Sequence, residues 1–402
     1  MSGPAGPLTG IRILDVSTII AGPWAATLLA DLGAEVLKVE LPGAGDGLRA
    51  MPPHKDGAPL WWKAGNRNKR GITLDLRKPS GMALFERLLP SHDVLVENFR
   101  PGTLDRWGLP MPRIRALAPR TVVLRVTGFG QTGPYRDRPG FARVFEAMSG
   151  FLGLTGEPGR PPLHTGFPIA DAVGGLFGAM GILAALRHRD AHPDEPAQEI
   201  DLSMLEAMWR VLDFLPVEYD QLGVVRERSG NNSQYAGPSN VYRTRDGRWV
   251  TIPASTQAVF ERLCAALDLP ALPADPRFAT NPDRVRHRAA LDALIGGAVG
   301  ARDYAALAPL LEAHGVAFAP VQSVADIFAD PHMRARGAIV RVEDAELGGP
   351  VAMQAVVPRF SATPGAVHRT GPGLGEHNRE VLCGELGLSE AELERLRAEG
   401  VV

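Results

Sequence analysis

Residues 11–40 read IRILDVSTIIAGPWAATLLADLGAEVLKVE, and this stretch decides the fold. Ile11–Ser17 (IRILDVS) is apolar and β-branched, the composition of a strand buried on both faces. Pro23–Leu32 carries apolar residues at helical spacing, with a proline suited to a first turn, and Gly33 stops it. Glu35–Glu40 (EVLKVE) is a second strand. A strand, a helix and a strand of these lengths make one right-handed crossover between parallel strands.

The alternation continues through Gly71–Leu76 (GITLDL), a helix around Ser80–Leu89, Asp93–Phe99 (DVLVENF) and Thr121–Thr127 (TVVLRVT). A long helix near Pro168–His188 and a strand at Gln198–Ser203 complete the unit, and a helix follows from Met204. The expected class is therefore α/β, with a mostly parallel, doubly wound sheet. After Leu222 the texture changes. Val241–Pro253 (VYRTRDGRWVTIP) reads as a hairpin turning at Asp246-Gly247, with helical stretches at Thr256–Leu267, Arg286–Val299 and Tyr304–His314. The expected division is a large domain over 1–224, a smaller α+β domain over 225–325, and a tail, 326–402, that returns to the large domain. Helices are expected in that tail near Glu376–Gly387 and Ser389–Ala398.

The chain's 402 residues, 45% hydrophobic and 22% charged, exclude a disordered or fibrous protein. Its 43 basic and 45 acidic residues nearly cancel, so no global field favours nucleic acid or an anionic membrane as a partner. Two cysteines, Cys264 and Cys383, make no disulfide framework and sit in no metal-ligand motif, which points to a reducing cytoplasm and no structural zinc. The N-terminus lacks the features of a signal peptide. Val173–Leu186 (VGGLFGAMGILAAL) is too short to span a bilayer and reads as a buried core helix.

Gly128-Phe-Gly130-Gln-Thr-Gly133 matches the dinucleotide fingerprint, but Pro134–Gly140 follow it with turn chemistry where that fingerprint needs a helix. The match is read as a glycine-rich connection at the carboxyl edge of the sheet. The ten histidines are scattered. His188 and His192 fall where the long helix should end and read as a solvated terminus, and His164 reads as a loop residue. No G-x-S-x-G elbow supports serine hydrolysis.

Asp171 is the strongest local candidate for chemistry. With Pro168 in the first turn, it stands at the mouth of the long apolar helix, where the helix dipole favours its ionised form. Gly174 and Gly175 leave its flank open, so the carboxylate could attack a thioester carbonyl. The same residues fit a plain helix cap, and on their own they leave both readings open. A basic run from Lys63 to Lys78 fits either a phosphate patch or a solvated face. Glu97–Gly102 (ENFRPG), ending a strand, and Arg106 offer an aromatic, an amide and two guanidiniums for an adenine nucleotide.

Taken in order, Gly10–Asp15 (GIRILD), Ala21-Gly22-Pro23, Leu32–Glu40 (LGAEVLKVE), Asn68-Lys69-Arg70, Asp93–Gly102 (DVLVENFRPG), Ala147–Gly150 (AMSG), Gly166–Gly174 and Leu374–His377 resemble the class III CoA-transferases, the formyl-CoA and carnitine CoA-transferase family. The resemblance implies a Rossmann-like large domain built from both chain ends, a small domain between them, and two subunits interlocked like chain links. It implies Asp171 as a nucleophile that forms an aspartyl anhydride and then an aspartyl-CoA thioester. Acyl-CoA and a free carboxylic acid are the implied substrates, with succinyl-CoA one candidate donor, and neither a metal nor a permanently bound cofactor is implied. By position, Ile20, Ala21, Leu74, Arg77, Asn98, Phe99, Arg100 and Arg106 match residues that hold CoA.

Two departures stand out. Leu41 occupies the place of a phosphate-binding arginine, with Lys38 or Arg49 as possible substitutes, and no tetraglycine loop is evident near 230–240, which leaves formyl-CoA and oxalate unsupported. The α-methylacyl-CoA racemases of the same superfamily pair a histidine with the aspartate, but Phe141 stands at that position here. The alternatives are thus a racemase or epimerase, or a non-catalytic CoA-binding protein.

Overall fold

The structure, a computed structural model, describes residues 6–402. Residues 1–5, part of the N-terminus read above as free of a signal peptide, lie outside the described residues. The described chain divides into two compact units. One comprises residues up to Phe151, His164–Gln221 and His332–Val402; the other comprises Leu152–Leu163 and Leu222–Pro331.

The first unit is built on six strands: β1 (Arg12–Asp15), β2 (Glu35–Glu40), β3 (Lys69–Thr73), β4 (Val94–Glu97), β5 (Val122–Thr127) and β6 (Glu199–Ser203). They lie in the order β3-β2-β1-β4-β5-β6, and every pairing is parallel. β4 and β5 are buried at every position, which is why they read as unbroken apolar runs. The third strand begins at Lys69, two residues earlier than its apolar run suggested, because the Lys69 side chain is itself taken into the interior.

α1 (Ala21–Asp31) connects β1 to β2, and α2 (Pro79–Leu88) lies between β3 and β4 in the chain. α3 (Ala142–Met148) and α4 (Ile169–Ala191) lie between β5 and β6. α4 has 23 residues, close to the long helix expected near Pro168–His188, and, contrary to the reading of its apolar core as too short, is long and apolar enough to cross a membrane by length and composition alone. It packs against α1, α3, β5 and β6, with Gly178 close against Ala25 and Leu124. It is not buried all round: Leu176, Met180 and Leu183, at helical spacing, remain exposed.

The chain's end covers the β3 edge. The amide of Thr73 donates to Asn378 Oδ1 at 2.8 Å, and the amide of Asp75 to the carbonyl of Val401 at 2.8 Å. Of the two tail helices expected, the first is a π-helix over Arg379–Glu385 and the second spans Glu390–Ala398. The second unit holds a three-stranded antiparallel sheet, including Ser239–Arg243 paired with Trp249–Pro253, and its own apolar core around Phe260, Leu263 and Phe278.

Candidate active site

Strand order reverses between β1 and β4, so the chain leaves their carboxyl ends in opposite directions and opens a crevice there. Two segments line it, Thr18–Ala21 after β1 and Asn98–Arg100 after β4. Asn98 ties them together: its Oδ1 accepts from the Thr18 amide at 2.7 Å and its Nδ2 donates to the Thr18 carbonyl at 2.8 Å. The neighbouring Ile19, though β-branched, is held at φ +69°. The Asp46 carboxylate fixes it there by accepting from the Ile19 amide at 3.0 and 3.2 Å. Such strain persists only where surrounding contacts enforce it.

The crevice widens into a cavity of about 600 Å³ that also contains Asp171, Glu146, Phe141 and Arg138. A second cavity of about 250 Å³ contains Leu74, Arg77 and Trp107 and shares Thr18 and Phe99 with the first. The two form a trench suited to an elongated ligand. Its narrow end offers Phe99 and Trp107, edge to face at 4.9 Å between centroids, beside Leu74 and Arg77. Among the sequence-predicted residues, Ile20, Ala21, Asn98, Phe99, Arg100 and Asp171 meet in the large cavity, while Leu74 and Arg77 meet in the small one. Arg106 lines neither and donates to Thr103 Oγ1 at 2.9 Å.

Asp171 lies in the first turn of α4, with Pro168 just outside the helix. The expectation that the helix dipole would favour its ionised form is corrected: burial, reinforced by the nearby Glu146 charge, pushes its carboxyl up to about 6. Its carboxylate accepts no hydrogen bond from the described residues, so no local donor repays the hydration lost on burial. Glu146 is almost wholly buried and lies 2.9 Å from His164 Nδ1. Sequence reasoning passed over Glu146; the signal available was a lone acid inside an otherwise apolar turn (VFEAM).

The basic run is corrected too: from Lys63 to Arg70 it is neither a solvated face nor a free phosphate patch, while Arg77 stays exposed beside the small cavity. Lys69 is buried on Asp15, and Arg67 pairs with Asp31. Lys63 pairs with Asp344 and Glu346, Arg70 with Glu380 and Glu385, and Arg77 with Asp75. Nor is either proposed substitute for an arginine at Leu41 free. Lys38 is fully buried between Asp15 and Asp46. Arg49 makes two bonds to Glu40 and lies 3.8 Å over the Trp62 ring. Among the described residues, no group of His, Cys, Asp and Glu is placed to hold a metal ion.

A doubly wound sheet with a half-buried, unpartnered carboxylate at its switch-point crevice is an arrangement that suits group transfer. The model of CoA-transferase family III matches residues 8–378, and the chain belongs to that family. It is 44% identical over 402 residues to succinyl-CoA–D-citramalate CoA-transferase of Chloroflexus aurantiacus, covering 99% of each chain. It is 40% identical over 399 residues to the β subunit of that organism's succinyl-CoA–L-malate CoA-transferase, covering 98% of each. Among solved structures, a CAIB/BAIF family protein from Brucella suis superimposes with a TM-score of 0.84 at 34% identity, over 97% of this chain and 100% of that one.

Proposed function

We propose that this CoA-transferase moves CoA from succinyl-CoA to a free dicarboxylic acid, with Asp171 as the nucleophile. The observation that carries the reading is the half-buried, unpartnered Asp171 carboxylate in the cavity walled by Thr18–Ala21 and Asn98–Arg100. The substrates named for the two Chloroflexus relatives favour the same class of acid.

In this reading, a carboxylate oxygen of Asp171 attacks the thioester carbonyl, the C–S bond breaks, and CoA leaves as a thiolate. The resulting mixed anhydride is then attacked by that thiolate at the aspartyl carbon. Its C–O bond breaks, releasing succinate and leaving an aspartyl-CoA thioester. The acceptor carboxylate attacks the thioester and regenerates an anhydride and a thiolate. Attack of the thiolate on the acceptor's acyl carbon frees Asp171. No net proton or electron moves, so no metal or permanent cofactor is required.

CoA would lie along the trench, its adenine end by Leu74, Arg77 and Phe99 and its pantetheine arm past Ile20, Ala21, Asn98 and Arg100. Arg106 would reach a phosphate from outside the trench. Burial of Asp171 also keeps water from the anhydride. Phe141 lines the same cavity and cannot exchange a proton, which disfavours racemisation. The intact carboxylate disfavours a purely binding role.

We assign CoA binding to residues 1–224 with 326–402, a reading that the tail's contacts with β3 support. We also infer an interlocked homodimer. Val144, Met148, Leu176, Met180, Leu183 and Trp209 leave an apolar face on neighbouring helices, and such a face favours a partner subunit. The near-neutral charge and two free cysteines suit a cytoplasmic enzyme.

The test is to incubate the protein with succinyl-CoA, trap with hydroxylamine or borohydride, and read the mass of the peptide containing Asp171. A labelled aspartate is expected; an unlabelled one overturns the reading, and exchange of deuterium into the α-carbon without labelling indicates racemisation. The pH profile gives a second check. Only ionised Asp171 attacks, and its carboxyl sits at about 6, so kcat/KM should fall about tenfold per pH unit well below pH 6. Glu146→Gln removes the nearby negative charge and should move this limb to lower pH, while the larger contribution of burial remains. A limb that stays in place in that variant would mean the two carboxylates do not sense each other.

A further inference from the structure

The Gly128–Gly133 motif, set aside as a dinucleotide fingerprint, has a different use in the structure. The loop between β5 and α3, residues 128–141, is anchored on one ring. A methyl group added at Gly128 or at Gly140 would come within 2.6 Å of the Phe145 ring, so both ends of the loop press on that side chain as only glycine can. Phe145 meets Phe129 edge to face at 5.5 Å, and Phe129 meets Tyr135 at 5.9 Å. The Arg138 guanidinium lies 3.7 Å over the Tyr135 ring. Between these contacts, the amide of Gln131 donates to both Asp201 carboxylate oxygens, at 3.0 and 2.9 Å. An aromatic ladder thus runs from α3 out to Arg138, starting one residue before Glu146.

Arg136 and Arg138 from this loop line the cavity that holds Asp171. The two differ in what they already hold. Arg136 is 3.4 Å from the Asp137 carboxylate, whereas Arg138 pairs with no carboxylate among the described residues. Stacking fixes the plane of the Arg138 guanidinium and leaves its N–H edge to pair with a carboxylate, which suits two-pronged recognition. In the proposed CoA placement the coenzyme's phosphates lie toward Arg77, so the charge at Arg138 is available to the acyl group.

We propose that Arg138 recognises the distal carboxylate of a dicarboxylic acyl group, making this loop the acid-selecting element of the enzyme. The inference rests on Asp171 as the nucleophile. Because donor and acceptor acids occupy the same aspartyl anhydride in turn, one guanidinium serves both half-reactions.

The experiment compares succinyl-CoA with butyryl-CoA, which has the same chain length without the distal charge. Single-turnover release of the free acid (succinate or butyrate) and steady-state transfer are measured for the wild type, Arg138→Gln, Arg138→Lys and Arg136→Gln. The wild type should prefer succinyl-CoA. In Arg138→Gln the succinyl-to-butyryl ratio of kcat/KM should fall on the order of 10- to 100-fold, and the KM of succinate as acceptor should rise in parallel. Arg138→Lys should recover part of the ratio, and Arg136→Gln should change it least. A ratio unchanged in Arg138→Gln, including an equal fall with both thioesters, overturns the assignment. If the wild type releases succinate and labels Asp171 while the ratio holds in every variant, only the arginine assignment fails. If the wild type labels no aspartate, the nucleophile reading fails and the arginine assignment falls with it.

Discussion

Asp171→Asn should abolish CoA transfer while making the protein more stable at neutral pH. Loss of the nucleophile removes the covalent route altogether, so turnover is expected to fall by roughly four or more orders of magnitude. CoA affinity should change little, because the proposed coenzyme contacts lie on other segments. The stability change separates the two readings that the sequence left open. Asparagine caps a helix about as well as aspartate, so a plain cap predicts almost no change in stability. A carboxyl raised to about 6 in the folded protein behaves differently. Its folding penalty is absent below the unfolded value near 3.8, grows as pH rises, and is complete above about 6. Replacing it with a neutral amide should therefore stabilise the protein by about 2–3 kcal/mol at pH 7.5 and by only about 0.5 kcal/mol at pH 4. Urea midpoints of the two proteins at both pH values check this. A variant no more stable than wild type at pH 7.5 would mean that burial of the carboxylate carries no folding penalty, and persistent turnover would remove Asp171 from the mechanism.

The legible parts of the fold were those fixed by local pattern. β4 and β5 showed themselves as β-branched runs because both faces of a central parallel strand are buried, and Pro168 marked the start of α4. Strand order was not legible, since periodicity says nothing about which parallel strands are neighbours. At the site, the switch-point segments Ile20–Ala21 and Asn98–Arg100 were found, because each lies just after a strand that could be read. The basic run was misjudged for a physical reason. Its partners Asp344, Glu380 and Glu385 lie some three hundred residues further along the chain, and net local charge cannot show that distant carboxylates fold back to meet it. Glu146 and Arg138 were missed on similar grounds. Each acquires meaning only when α3 and its preceding loop are packed beside α4.

Lys69→Met is expected to have the largest effect on stability. Lys69 Nζ is fully buried and donates to Asp15 Oδ2 at 2.8 Å, to the Pro23 carbonyl at 2.7 Å and to Asn66 Oδ1 at 2.9 Å. Burial pulls the ammonium down to about 8 against the opposing pull of Asp15. Asp15 itself is driven up by burial but held below the ordinary carboxyl value by Lys38 and Lys69 together. The charges are therefore mutually dependent, and they sit beneath the Ser17–Ala21 turn: Lys38 also donates to the Ser17 carbonyl, and Asp15 Oδ1 accepts from the Ser17 amide at 3.0 Å. Methionine fills the volume of the lysine but strands Asp15 Oδ2 and Asn66 Oδ1 in the interior, while the Pro23 carbonyl keeps its bond from Thr27 Oγ1 at 2.9 Å. Breaking a buried pair from one side costs about 3–5 kcal/mol, which urea unfolding should register as a lower midpoint. Asp15→Asn combined with Lys69→Met should cost less than the sum of the single changes, because the stranded charge is gone. A single variant within about 1 kcal/mol of wild type would mean that water or Lys38 replaces the lost ammonium. The network would then not fix the turn from which the coenzyme pocket begins.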